Sequence, residues 1–194
     1  MPSLAALPVH EFRKALTREN VMVLQLIYLA IGGGVLAFLI AISVIGAGAD
    51  GSGPMVEDPL PMLTWLTAAH VAIAIVLYGA AAWLFRSRFS PSRLEALGKG
   101  DLVKAGGEST SDPALKALLQ MRTAHILRLA LYEGVAMVGL VVLLLAVVNR
   151  ALEGNPWLWV NILSTVILAG LIAVTFPTPD RLETLFRTHI AGKA

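Results

Sequence analysis

The sequence predicts an all-α, polytopic membrane protein with four transmembrane helices in an antiparallel bundle, flanked by short cytoplasmic and interfacial helices. Three observations carry that expectation. Hydrophobic residues make up 57% of the 194-residue chain and charged residues 14%, against roughly 45–50% and about 25% in soluble domains. Four apolar runs, 21–46, 62–85, 126–148 and 157–176, reach the roughly 20 residues that cross a hydrocarbon core. The basic residues fall in alternate segments between those runs.

Residues 1–20 form a cytoplasmic N-terminal segment with weak helical periodicity over 10–18. The transmembrane domain occupies 21–176 and opens with the first span. Ala47-Gly48-Ala49 resembles a signal-peptidase site, but the apolar stretch before it is about twice the roughly 7–15 residues of a signal core, so a retained signal anchor is expected. Gln25, Tyr28, Gly32 and Ser43 share one stripe of this span, at about 100° per residue. Gly33, Ala37 and Ala41 make a small-residue series on another. Such stripes suit close helix contact and interhelical hydrogen bonds.

The second span carries His70, with Thr67, Ala74, Tyr78 and Ala81 on or beside its face. Histidine can bind a proton, ligate a metal or donate a hydrogen bond. No metal-ligand companions stand at i+3 or i+4. Packing is therefore the first expectation and proton exchange the second.

The cytoplasmic loop 86–122 is too small for an independent domain. Ser90-Pro91 is a start signal for a short helix through Leu97, and Gly98, Gly100, Gly106 and Gly107 interrupt the chain beyond it. Asp112-Pro113 then pairs an N-cap residue with a first-turn proline, so the third helix begins in the loop and runs on through its span. In the fourth span Asn161, Ser164 and Thr165 are suited to interhelical hydrogen bonds. Pro177 ends it, and Thr178-Pro179 begins a C-terminal amphipathic interfacial helix within 177–194. Leu182, Leu185, Phe186 and Ile190 recur there at helical spacing.

Charge sets the orientation. Arg13, Lys14 and Arg18 precede the first run, seven basic residues from Arg86 to Arg122 separate the second from the third, and Arg181, Arg187 and Lys193 come after the fourth. The other two loops hold Asp50, Glu57, Asp58 and Glu153, with Arg150 as their single basic residue. The positive-inside rule then puts both termini and the long loop in the cytoplasm, in a multi-pass protein of the cell membrane. Trp65, Trp157 and Trp159 fall at the outer interface and Trp83 at the inner one. Arg128 is expected to snorkel to the cytoplasmic interface.

Several function classes drop out. Cysteine is absent, which excludes disulfides, thiol catalysis and Cys-metal sites. Gly32-Gly33-Gly34 is succeeded by Val35 and Leu36, without the Lys-Ser/Thr of a phosphate loop. No serine nucleophile with a base, no paired aspartates and no metal motif occurs, so no catalytic residue, metal or cofactor is assigned and an enzyme is disfavoured. The basic balance of the chain fits cytoplasmic loops facing anionic lipid and calls for no nucleic acid partner.

Glu133 is the most informative residue. It interrupts the third run, where an unpaired charge would cost about 2.5–3.5 kcal/mol at mid-membrane. It must be neutral, paired or wet. It shares an arc with Ala130, Ala136, Met137 and Leu140, whereas Arg128 lies roughly 140° round the helix, outside easy reach. His70 is the candidate partner, at a level differing by roughly 5–13 Å at 1.5 Å per residue.

The stretch Glu133-Gly134-Val135-Ala136-Met137-Val138-Gly139-Leu140-Val141-Val142, ending at Asn149, resembles the carboxylate helix of the ATP synthase c subunit. The resemblance implies reversible protonation of Glu133 within a helix assembly. It covers one helix of the four. The preceding span lacks that family's glycine repeat and the loop is far longer, so ring assembly and rotation are not implied.

These features point to an integral membrane accessory or scaffold subunit of a larger membrane assembly, with Glu133 used for helix packing. The alternative is a proton-handling subunit in which Glu133, with His70 assisting, binds and releases protons. The expected partners are the lipid bilayer and other membrane subunits or further copies of the chain, because small-residue helix faces leave contact surface to spare.

Overall fold

Local chemistry accounts for where each helix starts. In the computed structural model, which describes residues 4–48, 58–100, 102–103 and 109–191, a 3-10 turn at Leu4–Ala6 precedes α1 (Val9–Ala15), which begins directly after Pro8. The long helix α2 spans Arg18–Gly48. Asp58 Oδ1 accepts from the Leu60 N–H at 3.2 Å at the start of α3 (Leu60–Ser87). Pro91 opens α4 (Pro91–Lys99), which runs two residues beyond Leu97, and Ser90 makes no side-chain cap bond there. Asp112 Oδ1 accepts from the Ala114 N–H at 2.9 Å, and from that cap α5 (Pro113–Val148) continues for 36 residues.

After α5 come the short α6 (Ala151–Gly154), a 3-10 segment at Pro156–Ile162 and α7 (Leu163–Thr175). The fourth span thus starts as a tighter helix than expected. In 3-10 geometry residues i and i+3 eclipse, and Leu158 and Asn161 are both fully buried. The last helix, α8 (Pro179–His189), is capped by Thr178 Oγ1, which accepts from the Arg181 N–H at 3.3 Å. A two-residue antiparallel ladder pairs Leu102 with Thr110 and Val103 with Ser109. Ala49, Asp50, Glu57, Lys104, Gly106, Gly107 and Lys193 lie outside the described residues.

Four segments are long and apolar enough to cross a membrane: Arg18–Gly48, Leu60–Ser87, Pro113–Val148 and Pro156–Thr175. The shortest has 20 residues, at least about 30 Å at roughly 1.5–2.0 Å each, enough for the thickness of a hydrocarbon core. Leu36 and Val44 on α2, Ile75 and Val76 on α3, and Val174 on α7 are all more than half exposed. Such a sheath of apolar side chains suits lipid and not water.

The chain divides into two compact units, one of residues 1–28, 81–128 and 175–194 and the other of 29–80 and 129–174. In the first, α1 packs on α8 and the Leu4–Ala6 turn packs on α4. Phe12 and Phe186 stack with ring centroids 4.2 Å apart, both fully buried. Burial of each ring stabilises by about 1.5–3 kcal/mol and the stack adds about 0.5–1.5. Around them Arg13 donates to both carboxylate oxygens of Glu183, at 3.0 and 3.1 Å, and Arg187 reaches the same group at 2.6 Å. On the apolar face of α8, Leu182, Phe186 and Ile190 are buried and Leu185 is half-buried.

In the second unit Leu63, Val142, Ala146, Ala151 and Leu158 form a buried cluster. Val135, Ala136 and Leu140 of α5 are also fully enclosed.

Candidate functional site

Polar side chains buried among apolar ones mark two places, one in each unit. In the second unit the buried stripe of α3 presents Thr67 and His70, and the eclipsed face of the 3-10 segment presents Asn161. Asn161 Nδ2 donates to the Leu158 carbonyl at 2.9 Å and to Thr67 Oγ1 at 3.0 Å. A carbonyl only accepts, so the amide nitrogen must face it and Oδ1 faces the other way. Asn161 Oδ1 lies 2.9 Å from His70 Nδ1. Because Oδ1 also only accepts, Nδ1 is the donor in this contact. The other ring nitrogen, Nε2, is buried and makes no hydrogen bond among the described residues.

Gly139 lets α5 approach this group. A Cβ there would lie 2.4 Å from the Asn161 carbonyl oxygen and 2.8 Å from both His70 Cε1 and Ser164 Oγ. No side chain fits at that distance. The result is a polar knot tying α3, α5 and the fourth span together without water-facing atoms, the type of cross-link by which membrane helices hold register.

The first unit holds a group that sequence reasoning missed. His125 is 4% exposed and its Nδ1 lies 2.7 Å from the Tyr28 hydroxyl, which also donates to Thr175 Oγ1 at 3.4 Å. Phe176 meets the Tyr28 ring edge-on at 6.1 Å, and Phe85 meets both His125 and His189 edge-on at 5.4 and 5.6 Å. The Arg128 guanidinium sits 5.2 Å above the Phe85 ring, a cation–π contact. Nearby, Gln25 Nε2 donates to the Pro177 carbonyl at 2.9 Å and Gln120 Nε2 to that of Arg88 at 2.7 Å. Lys116, 2% exposed, donates to the Gly100 carbonyl at 2.6 Å. The signal for His125 was its register: it extends the buried α5 stripe of Ala114, Ala117, Leu118, Met121 and Ala124.

The other residues selected from the sequence fall into distinct settings. Gln25, Tyr28 and Asn161 make contacts between elements, whereas the Ser43 hydroxyl donates at 3.0 Å to Leu39 of its own helix. Tyr78 packs its ring 4.5 Å from that of Tyr132, its hydroxyl buried without a partner among the described residues. Trp65 and Trp83 are 78% and 68% exposed, and Trp157 and Trp159 about half exposed. Glu133 is half-buried on α5 and makes no hydrogen bond or ion pair among the described residues. His70 and Glu133 are not joined by a hydrogen bond: the imidazole contacts Asn161 through Nδ1, and its Nε2 has no partner among the described residues. No group of three metal-ligating side chains occurs among the described residues. The chain matches no family model, no curated protein and no solved structure.

Proposed function

We propose that this protein is an integral membrane accessory or scaffold subunit of a larger membrane assembly, four helices running antiparallel across the cell membrane with both ends cytoplasmic. The observation that carries this reading is the contact between His70 and Asn161. The polar groups best placed for intramembrane chemistry are used to bind helices to one another: the amide of Asn161 has both N–H donors committed to Thr67 and Leu158 and its oxygen in contact with His70. Glu133 takes part through a neighbouring subunit. A half-buried carboxyl with no bond among the described residues is suited to donors from a neighbouring subunit, because an unsatisfied charge in hydrocarbon is costly.

The same exposure of Glu133 favours one alternative, a proton-handling subunit in which water reaches this carboxyl. Carbodiimide labelling of Glu133 against pH in membranes separates the two. A carboxyl that stays unreactive in the assembly and becomes reactive after dissociation in harsh detergent supports the scaffold. Selective labelling in the intact assembly that titrates near neutrality supports proton exchange and overturns it.

A further inference from the structure

Where α3 gives way to α4, the chain folds around a groove of ≈ 660 Å³ that lies wholly within the first unit. A membrane-crossing segment sets its position. Ser87, on the lining, is the last residue of the candidate span Leu60–Ser87, and Trp83, one turn earlier on the same helix face, is 68% exposed. Indole gathers where hydrocarbon meets headgroups. The rest of the lining includes Ser90, Ser92 and Arg93 at the start of α4 and Leu97 one turn beyond Arg93. Its donors are uncommitted. Ser87 gives its proton to the Leu84 carbonyl at 2.9 Å, whereas the hydroxyls of Ser90 and Ser92 and the guanidinium of Arg93 make no side-chain hydrogen bond or ion pair among the described residues.

Charge around the groove has one sign. Arg86, Arg88, Arg93 and Lys99 fall within residues 86–100, and the single carboxylate of that stretch, Glu95, is off the lining and paired with Lys99. An anion is favoured there, and an ammonium meets no counter-charge on the lining. The volume lies within the roughly 300–1,000 Å³ of small-ligand sites. We propose that this groove binds the phosphodiester headgroup of one anionic membrane lipid. The Arg93 guanidinium pairs with the phosphate oxygens, for which its planar fork is suited, and the Ser90 and Ser92 hydroxyls donate to the same group. Trp83 and Leu97 pack against the first carbons of the acyl chains. A soluble phosphate ester offers the same oxygens but nothing for the exposed indole at the end of a membrane-crossing helix, which selects the lipid as the source. The proposal rests on the chain lying in a bilayer and not on its role as a subunit.

The test is native mass spectrometry of the full chain in mild detergent, with phosphatidylglycerol and phosphatidylcholine of matched chains and glycerol 3-phosphate as a soluble phosphate ester. One retained phosphatidylglycerol is expected, preferred over phosphatidylcholine and not displaced by an equal concentration of glycerol 3-phosphate. Arg93→Gln should weaken retention about ten-fold or more, as loss of a charged hydrogen bond does. Arg86→Gln removes the same charge from an exposed position off the lining and should leave retention unchanged. Ser92→Trp, at an exposed position on the lining, should fill the groove and block the lipid while circular dichroism stays unchanged. Equal losses in Arg93→Gln and Arg86→Gln, equal retention of the two lipids, displacement by glycerol 3-phosphate, or detergent-held protein with no bound lipid would each overturn the site alone. A chain soluble without detergent would overturn the membrane reading with it.

Discussion

The 2.9 Å contact between His70 Nδ1 and Asn161 Oδ1 assigns the imidazole proton, because the other side of the asparagine amide is committed to a backbone carbonyl. The histidine is thereby a donor through Nδ1, while its Nε2 has no partner among the described residues. Nitrogen-15 spectra of the labelled protein should show a proton held on Nδ1 and hydrogen-bonded. In Asn161→Ala the Nδ1 signal should lose its hydrogen-bond shift.

Removing either partner leaves the other buried and unsatisfied, a cost of about 1–3 kcal/mol. His70→Ala and Asn161→Ala should each destabilise the folded state in detergent by that amount. The coupling in a double-mutant cycle should be smaller, about 0.6–1.7 kcal/mol as for other membrane hydrogen bonds. Additive single effects would show that the two side chains act separately.

Gly139 and Gly134 lie on the same helix and should respond oppositely to alanine. A methyl at 139 meets the Asn161 backbone oxygen at 2.4 Å, while one at 134 meets nothing within 4 Å. Gly139→Ala should cost about 1–3 kcal/mol as an overpacked core does. Gly134→Ala should be neutral or stabilising by up to about 1 kcal/mol through helix propensity. Thermal unfolding of the two variants side by side reads the difference.

The contact of α1 with α8 should depend on acid. The Arg187 and Arg13 guanidiniums hold the Glu183 carboxyl below the usual carboxylate range. A depressed folded value means that the contribution is fully present above the ordinary range and is lost as pH falls through the folded value. Hydrogen exchange in α8 should therefore accelerate on acidification from the ordinary carboxylate range down through that folded value. In Glu183→Gln the protection should start lower and lose that dependence.

Phe12→Ala removes one ring of the buried stack and should cost about 3–5 kcal/mol. Limited proteolysis should then cut within α8, whose apolar face Phe12 helps to cover. Arg13→Ala should have a far milder effect, since the Arg13 side chain is exposed and its ion pair with Glu183 is screened by solvent.

The helices were legible because they are written in single-residue chemistry. Apolar runs located the long ones, Asp112-Pro113 and Thr178-Pro179 located two starts, and the face of α3 bearing Thr67 and His70 is the face it buries. Pairing across the chain could not be read in the same way. Asn161 lies 91 residues from His70, and a depth estimate good to several ångströms could not prefer it over Glu133. His125 stayed hidden because it falls where a loop and a span meet, among polar residues that promise exposure. Ser43 shows the converse limit: a hydroxyl on a helical stripe satisfied itself on its own backbone, which spacing alone does not distinguish from a contact between helices.

The clasp between Arg13 and Glu183 joins residues made 170 positions apart. At roughly 5–20 residues per second, the ribosome delivers the second half about 10–30 s after the first. Through that interval Phe12 has no Phe186 ring to stack on and Arg13 no Glu183 to pair with. The junction of α1 with α8 is thus made only after the long helices between them in the chain have been synthesised.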